Sequence, residues 1–213
     1  MPQRFFITGT DTGIGKTVVS ALLCTALDAM YWKPIQTGTR DGTDRHTVIK
    51  LAQLPRSRAL PEAFRFVPPV SPHLAAMRAG VRIDLRKINI PRIASHEHLI
   101  VEGAGGVLVP INEMQLMIDL MLHLKLPVLL VARASLGTIN HTLLSLAALR
   151  AVKMTISGVI LVGKKNADNY QAIERYGKIP IVGLVPPLAT LNRTTLLHTF
   201  RKNFDQRALA AGE

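Results

Sequence analysis

Two hydrophobic patterns alternate along the chain. Short runs of consecutive Val, Ile, Leu and Phe residues are typical of parallel strands buried on both faces. Longer stretches with an apolar residue at every third or fourth position are typical of amphipathic helices. The runs predict strands at residues 4–8, 29–34, 98–102, 127–132, 156–162 and 179–184. The periodic stretches predict helices at residues 16–29, 113–124, 137–152, 168–176 and 193–206.

This alternation predicts an α/β fold, a three-layer sandwich in which helices flank a mostly parallel central sheet. A chain of 213 residues is long enough for one substantial core, so we predict a single domain over residues 1–213. Residues 40–94 are irregular and rich in proline. We interpret them as an elaborated insertion above the carboxyl ends of the strands, where ligands bind in such sheets.

The segment between the first strand and the first helix reads GTDTGIGKT over residues 9–17. Glycines let backbone N–H groups face a phosphate, and the helix N-terminus adds a partial positive charge. The pattern therefore predicts a P-loop and a P-loop NTPase-like fold, with Lys16 on the β- and γ-phosphates and Thr17 on Mg²⁺. The strict pattern has glycine where this chain has Thr10, and a glycine turn without a ligand is the alternative.

Three polar residues stand at or after the ends of predicted strands. Lys33 ends the second strand, where a cation can hold an anionic intermediate, although a surface lysine also fits the local pattern. Glu102 precedes a glycine-rich turn and can reach Mg²⁺, or that turn is purely structural. Asp44 is either a second Mg²⁺ ligand or the N-cap of the helix that follows it.

Composition narrows the class of protein. Apolar residues make up 48% and charged residues 19% of the chain, which excludes a disordered chain. The longest apolar runs are shorter than the ~20 residues that span a bilayer. Cys24 is the one cysteine, which excludes an internal disulfide and a multi-cysteine metal site. We therefore expect a cytoplasmic protein without a membrane partner.

The formal net charge is +12, a value that leaves nucleic-acid binding open. The basic residues are scattered, and aromatic residues, which stack on bases, make up only 5% of the chain. We favour solubilising charge around a phosphate site and predict no nucleic-acid partner. Asp11 also stands where the deviant Walker-A ATPases that partition DNA have an extra lysine, which argues against that branch.

The chain resembles the dethiobiotin synthetase family over nearly its whole length. Five motifs occur in the family's order and spacing, beginning with TGTDT and GKT of the P-loop. The others are KP with TG at residues 33–34 and 37–38, SPH at 71–73, VEGAGG at 101–106 and LGTINH at 136–141.

This resemblance implies a P-loop α/β homodimer that takes 7,8-diaminononanoate, CO₂ and ATP. One amine of the diamine becomes a carbamate, and ATP phosphorylates the carbamate. The second amine then attacks the mixed anhydride and closes the cyclic urea of dethiobiotin, with release of ADP and phosphate.

The resemblance also implies roles for individual residues. Lys33, together with Lys16, is the expected catalytic residue, and Thr17, Asp44 and Glu102 are the expected Mg²⁺ ligands. The expected substrate-binding residues are Thr12, Lys33, Thr37 and Gly105. The expected ATP-binding residues are Gly13, Ile14, Gly15, Lys16, Thr17, Val18, Asp44, Glu102, Gly103, Ala104, Gly105, Val185, Pro186 and Pro187.

Some positions depart from the family's pattern. Thr37 replaces the more usual serine and keeps its hydroxyl. Val162 and Gly163 stand where many members have the Asn-Asp pair that reads adenine, so we expect looser or backbone-mediated recognition of the base. The family also places a tyrosine of the other subunit near the substrate, and Tyr170 lies in a corresponding helix.

Two other functions use related P-loop domains. A nucleotide-switch ATPase of the DNA-partitioning type would use the positive charge to bind DNA. Asp11 argues against it. An amidase of the cobyrinic-acid type carries a glutaminase domain, for which we expect no room in 213 residues.

Overall fold

Strands and helices alternate along residues 2–210, which the computed structural model describes. The strands are β1 (Arg4–Gly9), β2 (Met30–Trp32), β3 (Ile35–Gln36), β4 (Ala59–Leu60), β5 (Phe64–Arg65), β6 (Leu99–Gly106), β7 (Val128–Arg133), β8 (Ile156–Val162) and β9 (Ile181–Val185). The α-helices are α1 (Lys16–Leu27), α2 (Asp44–Ala52), α3 (Pro72–Arg78), α4 (Met117–Leu124), α5 (Thr138–Ala151), α6 (Ala167–Gly177), α7 (Arg193–Asn203) and α8 (Gln206–Ala210).

One seven-stranded sheet has the order β4-β2-β6-β1-β7-β8-β9, and its pairings are parallel. The predicted α/β fold with a parallel central sheet is therefore confirmed. Ile7 of β1 lies beside Glu102 of β6, and Trp32 of β2 lies beside Val101. The carboxyl ends of these three neighbouring strands meet at one edge of the sheet, which is where ligands bind in open α/β sheets.

Helices cover both faces of the sheet, because successive side chains of a strand point to opposite faces. Phe5 and Ile7 pack with buried residues of α1, α2 and α7. Phe6, between them, packs with buried residues of α4, α5 and α6. Fully burying one such side chain contributes roughly 1.5–3 kcal/mol, so two apolar layers hold the ligand-binding edge in place.

The strands predicted at residues 4–8, 127–132 and 156–162 agree with β1, β7 and β8 to within one residue at each end. Helix boundaries are less regular. α1 ends at Leu27, two residues before the predicted end, because Asp28 adopts a left-handed conformation with φ 50°. The helix predicted at 193–206 is broken at Phe204, which is extended and pairs with Gly183 of the edge strand β9.

Within residues 40–94 the chain forms α2, α3, two short 3₁₀ turns and the strands β4 and β5. Strand β4 joins the main sheet beside β2, and β5 pairs with β3 in a separate two-stranded sheet. The N-cap of α2 is Thr43, whose side chain accepts the backbone N–H of His46. Asp44 is therefore not the cap, and its carboxylate remains available to the edge of the main sheet.

The helix predicted at 113–124 begins only at Met117. The side-chain carbonyl of Asn112 accepts the backbone N–H groups of Met114 and Gln115, at 2.9 and 2.8 Å, and so holds a turn instead. The amide nitrogen of Asn112 donates to the carbonyl of Ile83 and to the side chain of Gln115, both at 2.8 Å. This side chain ties the insertion to the segment that follows β6.

No helix among residues 2–210 is long and apolar enough to cross a membrane.

We expect Asn112→Ala to lower the free energy of unfolding by about 2–3 kcal/mol, because it removes four hydrogen bonds and takes the side-chain donor from the buried carbonyl of Ile83. Urea unfolding followed by circular dichroism measures the change. Asn89→Ala is the control, because its exposed amide donates a single bond to the Arg86 carbonyl. Equal effects of the two substitutions would contradict a special role for Asn112.

Candidate active site

Four polar side chains converge at the carboxyl ends of β1, β2 and β6. Thr17 lies in the first turn of α1, Lys33 follows β2, Asp44 begins α2 and Glu102 lies on β6. They line a cavity of ≈ 360 Å³ together with the P-loop. Strands that are adjacent in the sheet thus bring together residues that are far apart in the sequence.

Lys33 lies between two carboxylates. Its Nζ donates to Oδ2 of Asp44 at 2.5 Å and to Oε1 of Glu102 at 3.0 Å. The hydroxyl of Thr17 lies 2.8 Å from Oδ1 of Asp44 and 3.0 Å from Oε1 of Glu102. Lys33 is only 6% exposed and Glu102 only 1%, so Lys33 is not the surface lysine that its local pattern also allowed.

The cluster keeps its charges in spite of its burial. Burial by itself disfavours the ammonium of Lys33, but the carboxylates of Glu102 and Asp44 outweigh it and raise the pKa of Lys33. Burial likewise acts against the Asp44 carboxylate, but the charge and hydrogen bond of Lys33 outweigh it and lower the pKa of Asp44. The ammonium of Lys33 therefore stays protonated at neutral pH beside an ionised Asp44.

Two further residues belong to this cluster and were missed in the sequence. The hydroxyl of Tyr31 donates to Oε2 of Glu102 at 3.0 Å, and burial, with the nearby Glu102 charge, raises the pKa of Tyr31 well above its usual value. Gln36 accepts the backbone N–H of Asp44 at 3.1 Å. A tyrosine in an apolar run has the signature of a core residue, so periodicity alone does not single out Tyr31.

The P-loop has the backbone that its glycines predict. Gly13 and Gly15 have φ values of 70° and 99°, in the left-handed region. The buried Nζ of Lys16 donates to the backbone carbonyl of Asp11 at 2.8 Å. Burial lowers the pKa of Lys16 to about 8, with Lys33 adding to the effect and Glu102 opposing it. The loop therefore presents a cation for which an added phosphate would be a better partner than a carbonyl.

Asp11 takes part in a local contact. It is the residue that stands where the sequence analysis compared this chain with the extra lysine of DNA-partitioning ATPases. Its Oδ1 accepts the backbone N–H of Thr12 at 2.7 Å, and its Oδ2 lies 2.8 Å from Nη2 of Arg133 at the end of β7.

A second cavity, of ≈ 510 Å³, adjoins the first on the side of the insertion. The two cavities share Thr12, Gln36, Thr37, Asp44, Ala104 and Gly105. A Cβ atom at Gly105 would lie 2.6 Å from Val109, and its φ is +75°, so only glycine fits this wall. The predicted substrate-binding residues Thr12, Thr37 and Gly105 therefore lie together on the boundary between the cavities.

A third cavity, of ≈ 620 Å³, opens from the other side of the P-loop and shares Gly13 and Gly15 with the first. Val162 and Gly163, for which the sequence predicts contact with the base of the nucleotide, line this cavity, which is called the base-side cavity below. Within the described part of the chain its lining holds no acidic residue. The lining residues are Gly13, Ile14, Gly15, Arg133, Ala134, Ser135, Val162, Gly163, Lys164, Lys165 and Asn166.

A few of the predicted ATP-binding residues lie away from these cavities. A Cβ atom at Gly103 would meet the ring of Phe6, on the core side of the sheet. The carbonyl of Val185 accepts the N–H of Gly163, but Val185, Pro186 and Pro187 do not line the base-side cavity. Their part in ATP binding stays a prediction.

Tyr170 also lies away from the three cavities. Its hydroxyl donates to the carbonyl of Ile181 at 3.1 Å, at a separate surface cavity between α6 and the C-terminal helices.

A P-loop after the central strand of a parallel sheet, with a carboxylate on the neighbouring strand, defines the P-loop class of nucleotide-binding α/β proteins. Solved structures agree with this fold. A ParA family ATPase from Chlorobium tepidum TLS has a TM-score of 0.57 at 16% identity and covers 99% of this chain and 97% of its own. The MinD cell division protein of Aquifex aeolicus has a TM-score of 0.54 at 16% identity, covering 92% and 86%.

Sequence relatives narrow the class to a family. The sequence model of a family described as AAA domain matches residues 3–195. ATP-dependent dethiobiotin synthetases BioD of Brucella melitensis biotype 1 and Brucella ovis are 48% identical over 204 residues, 96% of this chain and 95% of theirs. That of Rhodopseudomonas palustris is 47% identical over 205 residues, with the same coverage. The chain belongs to the ATP-dependent dethiobiotin synthetase family and is a cyclo-ligase.

We expect Lys33→Met to lower the free energy of unfolding by about 3 kcal/mol, because it leaves two carboxylates in a mostly buried cluster without their cation. Urea unfolding in metal-free buffer measures the change. Arg82→Met is the control, since Arg82 and Glu113 form an exposed pair at 3.4 Å and such pairs contribute at most about 1 kcal/mol. A Lys33→Met variant as stable as the control would show that the carboxylates do not depend on Lys33.

Proposed function

We propose that the protein is an ATP-dependent dethiobiotin synthetase of biotin synthesis, which joins 7,8-diaminononanoate and CO₂ and converts ATP to ADP and phosphate. The observation that carries this proposal is the boundary between two cavities. The P-loop cavity holds Lys33 and shares six wall residues with the cavity on the insertion side. A terminal phosphate in the first cavity and an organic acceptor in the second would therefore meet beside Lys33.

The chemistry requires an anion at this boundary. An amine of the diamine attacks CO₂ and loses a proton, which forms a carbamate. A carbamate oxygen then attacks the γ-phosphorus of ATP and ADP leaves, which forms a carbamic–phosphoric anhydride. The second amine attacks the carbonyl carbon of this anhydride and loses a proton as phosphate leaves, so that the cyclic urea closes.

Lys33 is the residue that we assign to the carbamate. Its ammonium is held in place by two carboxylates and stays charged, so it would stabilise both the carbamate and the charge that develops during phosphoryl transfer. Lys16 would hold the β- and γ-phosphates of ATP from the side of the P-loop. Thr12, Thr37 and Gly105 form the boundary wall, where hydroxyls and a bare backbone would contact the diamine.

The residues beside the P-loop fit Mg²⁺, which prefers oxygen ligands from one or two carboxylates and completes its shell with phosphate and water. Carboxylate oxygens of Asp44 and Glu102 lie 2.8 and 3.0 Å from the hydroxyl oxygen of Thr17. No group of three or more His, Cys, Asp or Glu residues fit for a metal occurs among residues 2–210. Bound there, Mg²⁺ would neutralise charge on the transferring phosphate.

The remaining elements of the proposal concern assembly and the base of the nucleotide. We propose that the enzyme works as a homodimer in the cytoplasm and that Val162 and Gly163 contact the base through their backbone and methyl groups. The absence of acidic side chains among the residues that line the base-side cavity supports loose base recognition. Binding of DNA would rest only on the net charge of +12 and on a fold shared with ParA and MinD proteins.

The first test is release of phosphate from Mg·ATP with and without 7,8-diaminononanoate and bicarbonate. We expect release that requires both compounds, yields dethiobiotin and falls about 10²–10³-fold in Lys33→Ala, because a preorganised cation is lost from the reacting anion. Lys50→Ala removes an exposed lysine of α2 and serves as the control. Phosphate release that does not depend on the diamine but increases with added DNA would overturn the proposal and favour a nucleotide switch.

The proposed Mg²⁺ ligands make a separate prediction. We expect Asp44→Asn to raise the Mg²⁺ concentration for half-maximal activity at least about tenfold, because a charged oxygen ligand becomes neutral. A magnesium titration at saturating ATP measures the shift. Asp168→Asn, an exposed position in the first turn of α6, should leave the curve in place, and an unshifted curve for Asp44→Asn would remove Asp44 from the ligand set.

A further inference from the structure

The hydroxyl of Tyr31 is buried directly beneath the active-site edge. Tyr31 lies in β2 beside Ile100 of β6, two residues before Glu102, and its exposed fraction is 0%. Its hydroxyl donates to Oε2 of Glu102 at 3.0 Å. Two adjacent parallel strands thus place a phenol in contact with the buried carboxylate of the phosphate cavity.

Packing accounts for the ring of Tyr31 but not for its hydroxyl. The ring lies in an apolar layer with Leu22 and Val48, among other residues of α1 and α2. A phenylalanine would fill the same space without placing a polar atom in that layer, and burying a hydroxyl is costly unless it is hydrogen-bonded. The bond to Glu102 is therefore the reason that a tyrosine is compatible with this site.

The two oxygens of Glu102 have different partners. Oε1 faces the phosphate cavity, where it lies 3.0 Å from both Nζ of Lys33 and the hydroxyl of Thr17. Oε2 is the atom bonded to Tyr31. A carboxylate that accepts a hydrogen bond from a donor on a rigid strand cannot rotate about its terminal bond without losing that hydrogen bond. Tyr31 therefore restrains the plane of the carboxylate and keeps one oxygen directed at Thr17.

We propose that Tyr31 is a positioning residue, which fixes the Glu102 carboxylate so that its Oε1 stays toward Thr17 and is available to the nucleotide-bound divalent cation. This inference rests on the role proposed above for Glu102. Tyr31 itself lines none of the three cavities at the P-loop, so it acts through Glu102 rather than on substrate. Residues that orient metal ligands in this way typically change metal affinity or activity about 10–100-fold when they are replaced.

The test measures the affinity of Mn²⁺ for the enzyme·ADP complex, from the paramagnetic resonance signal of free Mn²⁺, without diamine or bicarbonate. We expect Tyr31→Phe to weaken Mn²⁺ binding about 10–100-fold, while ADP binding in the presence of EDTA is unchanged. Tyr176→Phe removes one tyrosyl hydroxyl from an exposed side chain on α6 and should leave Mn²⁺ affinity at the wild-type value.

A double-mutant cycle distinguishes positioning from packing. In a Glu102→Gln background, Tyr31→Phe should change Mn²⁺ affinity less than twofold, because the carboxylate through which Tyr31 acts is gone. This comparison can still be made if Tyr31→Phe alone folds poorly. In the double variant, position 102 no longer carries a buried carboxylate that needs the hydroxyl of Tyr31 as a donor. In the single variant, the rate should recover as Mg²⁺ is raised, which a general loss of structure would not allow.

Two results would overturn the inference. One is wild-type Mn²⁺ affinity in a folded Tyr31→Phe variant, which would reduce Tyr31 to a packing residue. The other is an equal loss of affinity in the wild-type and Glu102→Gln backgrounds, which would exclude action through Glu102. Neither result depends on the diamine, so failure of the synthetase activity in the wild-type protein would be seen separately, in the product assay.

Discussion

The site depends on one buried charged contact, that of the Lys33 ammonium with the carboxylates of Asp44 and Glu102. Removing such ions from water costs several kcal/mol each, and their attraction offsets that cost only when the geometry is good and the remaining oxygens are hydrogen-bonded. The fold meets this condition by placing β2 and β6 side by side and by satisfying Glu102 from Thr17 and Tyr31. Two apolar layers keep the strands at that spacing, so the packing of the core also maintains the geometry of the site.

Most of the central sheet could be predicted, because strands buried on both faces leave continuous apolar runs such as that of β8, which the prediction matched at both ends. Elements held by particular side chains could not be predicted from periodicity. Asn112 replaces the expected first turn of α4 with a side-chain-held turn, and Phe204 leaves the helical pattern to cover Gly183 at the sheet edge. Strand β4 has only two residues, too few for any pattern to show.

The candidate site likewise contains some residues that could be predicted from the sequence and others that could not. Lys33 and Glu102 could be proposed from their places at the ends of strands, because the carboxyl ends of parallel strands share one edge. Asp44 stayed ambiguous, since a cap and a ligand have the same local sequence, and the contact of Thr43 with His46 resolves the cap. Tyr31 and Gln36 could not be predicted as part of the site, because each contacts a residue of another segment of the chain. A single sequence contains no direct information about such contacts.

A shared fold does not by itself set what a P-loop protein does with ATP. ParA and MinD proteins share this fold at 16% identity. Here Asp11 is held to Arg133 of its own chain, and the insertion encloses a second cavity against the phosphate cavity. A switch needs a conformational response to the γ-phosphate, whereas a synthetase needs room for an acceptor beside it. The wall shared by Thr12, Thr37 and Gly105 meets the second requirement, which is why the site rather than the sheet supports the synthetase assignment.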